Sequence, residues 1–85
     1  MAKVTIYTKA QCPYCQKAKA LLTIKKVAFQ EINVENDPQQ WAEMEAKSQR
    51  STVPQIFIND RPIGGFDDLK RLDDLGQLDP LLSAN

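Results

Sequence analysis

Histidine is absent from this chain of 85 residues, and cysteine occurs only twice, at Cys12 and Cys15. A structural zinc site takes four ligands, usually from cysteine and histidine, so one copy of the chain cannot complete such a site. Two cysteines also cannot form the multiple bridges of a small secreted scaffold. In a reducing compartment this spacing is typical of a redox catalyst, and we expect no bound metal, nucleotide or prosthetic group.

Long apolar segments are missing as well. A membrane-spanning helix needs about 20 consecutive apolar residues, and the first residues lack the apolar segment of a signal peptide. The net charge is +0, and although residues 1–26 hold six lysines and no acid, they lack clustered arginine with interleaved aromatics. We therefore expect a cytoplasmic protein that contacts neither membrane nor nucleic acid.

The length and the hydrophobic fraction of 42% indicate one domain over residues 1–85 with a single core. Apolar spacing and turn residues predict a strand at 3–8, a helix at 16–26, a strand at 27–34, a helix from Asp37-Pro38 to Arg50, a hairpin at 55–65, a helix from Asp67-Asp68 to Gly76, and a helical turn from Asp79-Pro80. The order βαβαββα predicts an α/β fold with a four-stranded mixed sheet flanked by helices.

Cys12 lies where the first strand gives way to the first helix. The dipeptides at Asp37 and Asp79 place an acid before a proline at a predicted helix start, and Cys12 occupies the same slot before Pro13. A helix start has unpaired N–H groups and partial positive charge, which lower a thiol pKa below its free value of about 8.5. We therefore predict that Cys12 is the nucleophile.

Cys15 lies one helical turn further on, on the same face, so its sulfur can reach that of Cys12. After Cys12 has attacked a substrate disulfide, Cys15 can displace the product and leave a Cys12–Cys15 disulfide. The alternative is a structural staple, but closing so short a loop stabilises by only about 2 kcal/mol. The pattern favours a dithiol reductase cycle.

Three motifs at matching spacing resemble a known family. They are Tyr7-Thr8-Lys9 before Cys12-Pro13-Tyr14-Cys15, then Thr52-Val53-Pro54-Gln55, then Gly64-Gly65-Phe66-Asp67-Asp68. Together they resemble a dithiol glutaredoxin, and the resemblance covers essentially the whole chain. It implies a thioredoxin-like fold and reduction of protein disulfides and protein–glutathione mixed disulfides, with glutathione as cosubstrate.

The resemblance also implies a glutathione site. Its residues would be Lys9, Tyr14, Thr52, Val53, Pro54, Gly65, Phe66, Asp67 and Asp68. In the family, the positions of Lys9 and Tyr14 flank glutathione, those of Thr52 and Val53 pair with its backbone, and the segment 65–68 holds its γ-glutamyl end. Pro54 would follow a cis bond, and Phe66 would pack beside the site.

Two other functions stay open at this point. One is an iron–sulfur carrier, a dimer in which each chain contributes Cys12 and a glutathione to a [2Fe-2S] cluster, although Pro13 and Cys15 argue against it. The other is a similar redoxin that takes electrons from thioredoxin reductase. We expect a monomer, with glutathione and disulfide-containing or glutathionylated proteins as its partners.

Overall fold

Four strands and four helices make up residues 2–83, the part of the chain that the computed structural model describes. They are β1 (Val4–Thr8), α1 (Pro13–Ile24), β2 (Gln30–Asn33), α2 (Pro38–Ser48), β3 (Gln55–Ile58), β4 (Arg61–Gly64), α3 (Phe66–Asp74) and α4 (Leu78–Ser83). The predicted order is confirmed, and the predicted last turn is the helix α4. Within these residues, no helix has the length and apolar character needed to cross a membrane.

The four strands form one mixed sheet in the order β2-β1-β3-β4. β1 pairs with β2 in parallel, across the connection through α1, and β3 is antiparallel to both β1 and β4. Tyr7 near the end of β1 lies opposite Gln55 at the start of β3. The loop after β1 and the loop before β3 therefore meet at one edge of the sheet.

Two apolar clusters cover the two faces of the sheet. Successive strand residues point to opposite faces, so Ile56 joins the cluster with Leu22 of α1 and Leu69 of α3, whereas Phe57 joins the cluster with Met44 of α2. The predicted arrangement of helices on both faces of a mixed sheet is confirmed.

The second strand is shorter than predicted, because it begins at Gln30 and not at residue 27. The N–H of Val27 donates to the carbonyl of Leu22 at 3.4 Å, and Lys26 has a positive φ of 60°. Residues 25–29 therefore close the end of α1 and turn the chain before they can pair with β1.

Asp79 does not cap a helix, although the sequence predicted that role. The helix α4 begins one residue earlier, at Leu78, and the Asp79 carboxylate lies 3.0 Å from Nζ of Lys25. The same lysine contacts Asp73 of α3 at 2.5 Å. Asp79 thus takes part in an ion-pair cluster that joins the end of α1 to α3 and α4.

Candidate active site

Cys12 is the N-cap residue of α1, as predicted. Its backbone is extended, with φ −114° and ψ 103°, and its Sγ accepts the N–H of Cys15 at 3.1 Å. Pro13 follows at the first helical position, where its missing N–H removes no intrahelical bond. The geometry therefore directs the positive end of α1 at one sulfur, and this end would stabilise a thiolate there.

Cys15 is bonded to Cys12 in a disulfide, with 5.1 Å between the two Cα atoms. Cys15 is 1% exposed, whereas Cys12 is only partly buried. The two sulfurs are therefore within reach of each other, and Cys12 is the more accessible of the pair. This asymmetry fits an outer sulfur that meets substrates and an inner one that reacts only with its neighbour.

A cleft of about 220 Å³ lies beside Tyr14, in the first turn of α1. Its other lining residues come from the loop before β3, the start of β3 and the start of α3, and are Arg50, Thr52, Val53, Pro54, Gln55, Gly65, Phe66, Asp67 and Asp68. Eight of the nine residues predicted for glutathione line it; Lys9 does not. The cleft therefore brings together two of the three sequence motifs and the tyrosine of the third.

Aromatic rings form one side of this cleft. The rings of Tyr14 and Phe66 are 6.3 Å apart between centroids, and Nζ of Lys17 lies 5.1 Å from the centre of the Tyr14 ring. Tyr14 remains 55% exposed. The ring of Phe66 links the start of α3 to that of α1.

Asp68 binds both to its own helix and to the opposite side of the cleft. Its Oδ2 accepts the N–H of Gly65 at 3.0 Å and a hydrogen bond from Nη1 of Arg50 at 2.8 Å. The hydrogen bond from Arg50 lowers the pKa of Asp68 below its usual value, and the hydrogen bond from the Gly65 backbone adds a smaller lowering. Burial of the carboxyl group opposes both effects. Asp68 is therefore held as a carboxylate at the cleft.

The helix α3 begins at Phe66, one residue before the predicted start at Asp67. Gly65 is the N-cap residue, and Asp68 stands three positions later, where its side chain reaches back to the cap. Gly64 before it has φ +117°, and a Cβ there would lie 2.4 Å from Oδ2 of Asp68. A side chain at position 64 would thus displace the carboxylate.

Comparison with known proteins identifies the family. A family model described as Glutaredoxin matches residues 4–63. The chain is 56% identical to Glutaredoxin 3 of Escherichia coli K12 over 82 residues, which is 96% of this chain and 99% of that protein. The chain belongs to the glutaredoxin family. The family assignment and the predicted thiol–disulfide oxidoreductase activity are both confirmed.

Solved glutaredoxin structures share the fold. A glutaredoxin from Brucella melitensis superposes with a TM-score of 0.85 at 51% identity, covering 96% of this chain and 89% of the other. A buckwheat glutaredoxin, in a structure described as a complex with glutathione, superposes with a TM-score of 0.88 at 26% identity, covering 96% of this chain and 77% of the other. The thioredoxin-like fold is therefore confirmed.

In this glutaredoxin, the cleft includes two residues that the sequence did not predict there, and it excludes one that the sequence did predict. Arg50 and Gln55 line the cleft, but neither was predicted there. Lys9 is exposed outside the cleft, with Nζ 6.0 Å from the ring centre of Trp41. The Val53–Pro54 peptide bond is cis, as the family resemblance implied.

Proposed function

We propose that this glutaredoxin reduces protein disulfides and protein–glutathione mixed disulfides by a dithiol mechanism, with glutathione as the reductant. One observation carries the proposal: the sulfur at the N-terminus of α1 accepts the N–H of Cys15 and is more exposed than its partner. A helix start favours the anionic form of the sulfur that it faces, and only the anion attacks disulfides. Cys12 is therefore the nucleophile.

With a protein disulfide, the Cys12 thiolate attacks one sulfur, and the other sulfur leaves as a thiolate that takes up a proton. The Cys15 thiol loses its proton and attacks Sγ of Cys12, which releases the second protein thiol and forms the Cys12–Cys15 disulfide. Two glutathione molecules then restore the dithiol and leave as glutathione disulfide. With a mixed disulfide, Cys12 takes the glutathionyl group, and a second glutathione removes it.

The cleft beside Tyr14 is the proposed glutathione site. Glutathione carries two carboxylates and one ammonium group, and the Asp67 and Asp68 carboxylates suit the ammonium. The N–H groups at the start of α3 suit a carboxylate, and the bend at Thr52 and Val53 before β3 offers main-chain groups to a peptide. The buckwheat glutaredoxin described as a glutathione complex, which shares the fold, supports glutathione as the ligand.

In this proposal, Lys9 supplies a positive charge from outside the cleft. It precedes Cys12 by three residues and is exposed, and its contact with the Trp41 ring is of a kind that a long side chain exchanges easily. We propose that it turns to a glutathione carboxylate when the cosubstrate binds. Lys9→Gln tests this step through the salt dependence of turnover.

The cellular setting follows from the chemistry. A Cys12–Cys15 disulfide must be reduced again after every cycle, which requires a compartment with a reducing glutathione pool. We propose that the protein acts in the cytoplasm as a monomer formed by one domain over residues 1–85. Its other substrates are then disulfide-containing and glutathionylated proteins.

Replacing the two cysteines singly tests the mechanism. Cys12→Ser should abolish turnover of both a glutathionylated peptide and a protein disulfide, because no nucleophile remains. Cys15→Ser should keep turnover of the glutathionylated peptide but lose reduction of the protein disulfide, because the mixed disulfide with Cys12 is no longer resolved. Coupled assays with glutathione and its reductase measure both activities.

Arg61→Gln, at an exposed position of β4 outside the cleft, serves as the control and should behave as the wild type. Full turnover of the glutathionylated peptide by Cys12→Ser would show that the nucleophile has been misassigned. Equal loss of both activities in Cys15→Ser would contradict the division of roles between the cysteines.

A further inference from the structure

Gln55 is a polar residue in a fully buried strand. All four residues of β3 are buried, and Gln55 is 1% exposed, yet the other three are apolar. Its Nε2 donates to the carbonyl oxygen of Thr52 at 2.9 Å and to Oγ1 of Thr52 at 3.3 Å. Its Oε1 is buried without a hydrogen-bond partner among residues 2–83. The amide is therefore only half satisfied.

A half-satisfied buried amide is unfavourable for stability, because the unpaired acceptor has lost its bonds to water. An apolar side chain of similar size would avoid that cost in a strand whose neighbours are Ile56, Phe57 and Ile58. The amide instead provides a hydrogen bond that holds the carbonyl group of Thr52 against the buried strand β3. The residue is thus suited to hold the loop before β3, rather than to stabilise the core.

This attachment fixes the direction of the next N–H group. The carbonyl and the N–H of a trans peptide point in opposite directions, so a Thr52 carbonyl that faces Gln55 turns the N–H of Val53 away from it. Thr52, Val53 and Gln55 all line the cleft. The N–H of Val53 makes no hydrogen bond within residues 2–83. It is therefore available to an extended peptide in the cleft.

We propose that Gln55 is a positioning residue, which holds the Thr52 carbonyl inward so that the N–H of Val53 is aimed at the backbone of glutathione. This inference rests on the proposed function, because it takes the cleft to be the glutathione site. Gln55 itself does not touch the reacting sulfur atoms. Its effect should appear with glutathione and be absent with a small thiol that has no peptide group.

The test compares two reductants of the Cys12–Cys15 disulfide in Gln55→Met, which keeps the size of the side chain and removes the donor. Reduction by glutathione should slow about three- to tenfold, the effect of losing one hydrogen bond. Reduction by dithiothreitol should change less than about twofold, and the thermal midpoint should not fall, because the unpaired acceptor is removed too. Stopped-flow fluorescence and thermal unfolding measure these quantities.

Ile58→Val is the matched control, since it alters the same buried strand but lies in the cluster of Leu22 and Leu69, which does not include Val53, and it should leave the ratio of the two rates unchanged. Equal slowing with both reductants, or no slowing with glutathione, would overturn the proposal. If Gln55→Met does not fold, Gln55→Leu, which also lacks the donor, decides between the same outcomes. A wild-type protein that glutathione fails to reduce would instead refute the proposed function.

Discussion

Asp68 is the residue where two walls of the cleft join. Arg50 follows α2 and Gly65 caps α3, and the same oxygen of Asp68 accepts hydrogen bonds from both. The pair with Arg50 is about half exposed, with 51% and 41% of the two side chains accessible. Pairs this exposed contribute less than about 1 kcal/mol to stability, so the bond matters more for the charge and direction of Asp68.

Arg50→Gln should raise the pKa of Asp68 toward the ordinary value of an aspartate, because the guanidinium is the main cause of its lowering. The free energy of unfolding should fall by less than about 1 kcal/mol. An NMR titration of the Asp68 carboxyl carbon measures the pKa. Lys70→Gln, which removes a pair with Asp74 on the same helix, is the control and should leave Asp68 unchanged.

Single residues could be predicted from sequence where their local surroundings define them. Cys12 is such a case, because its slot before a proline matches that of Asp37, whose side chain caps α2. Arg50 is not, since its partner Asp68 comes eighteen residues later and is brought close only by the hairpin of β3 and β4. Gln55 offered a weaker signal, as the only polar residue in the buried segment of β3.

At the scale of elements, the junction of β4 and α3 depends on Gly64. Gly64→Ala should lower the free energy of unfolding by about 1–3 kcal/mol, because φ +117° is strained for alanine and its Cβ would displace the Asp68 carboxylate. Activity with glutathione should fall as well, since the same carboxylate belongs to the proposed site. Urea unfolding and the coupled glutathione assay measure the two effects.

Gly76→Ala provides the matched control for this junction. Gly76 also has a positive φ, of 72°, but no atom lies within 4 Å of a Cβ placed there. It should therefore show only the backbone cost of about 1 kcal/mol, with full activity. Equal effects of the two substitutions on stability and activity would contradict the role given to contact with Asp68.

The boundaries of elements were less predictable than their order. The apolar residues of segment 27–34 fit a strand throughout, but Val27 closes the end of α1 and the strand starts three residues later. The acids at 67 and 68 fit a helix cap, yet glycine at 65 takes that position and Asp68 reaches back to it. Both differences arise from competition between neighbouring hydrogen bonds, which spacing alone does not reveal.

For the whole molecule, the lack of histidine shapes the dependence of stability on pH. Hydrogen bonds from Arg50 and Thr8 lower the pKa values of Asp68 and Glu31, respectively. Stability from a lowered carboxyl pKa is present above the unfolded value of about 4 and is lost as the pH falls through the folded value. The hydrogen bonds that Lys25 donates to Asp73 and Asp79 raise the pKa of Lys25, so its contribution disappears only as the pH rises through that raised value.

The oxidised protein should therefore have a nearly constant thermal midpoint between about pH 5 and pH 9, with losses below about pH 4 and above about pH 10. The oxidised form is needed because free thiols would titrate within this range. Thermal unfolding followed by circular dichroism across the pH range provides the measurement. A pronounced step near neutral pH would show that a group outside this account controls stability.

The order of elements and the mixed sheet could be predicted because apolar periodicity and turn residues are local signals. Local signals do not predict which loops meet at the edge of the sheet that carries Cys12. Tyr7 and Gln55 lie side by side although 48 positions separate them in sequence, and this pairing brings the loop containing Cys12 to the loop containing Thr52. Only the family resemblance connected these motifs in advance.

The unequal exposure of Cys12 and Cys15 has a consequence for the order in which substrates react with the enzyme. Under the proposed mechanism, the oxidised client and the glutathione that later restores the dithiol both use the same outer sulfur. The client and glutathione cannot react with this sulfur at the same time, so oxidation and re-reduction of the enzyme compete for one atom. A high concentration of oxidised clients would then slow the step in which glutathione restores the dithiol form, and so would limit the rate of client reduction.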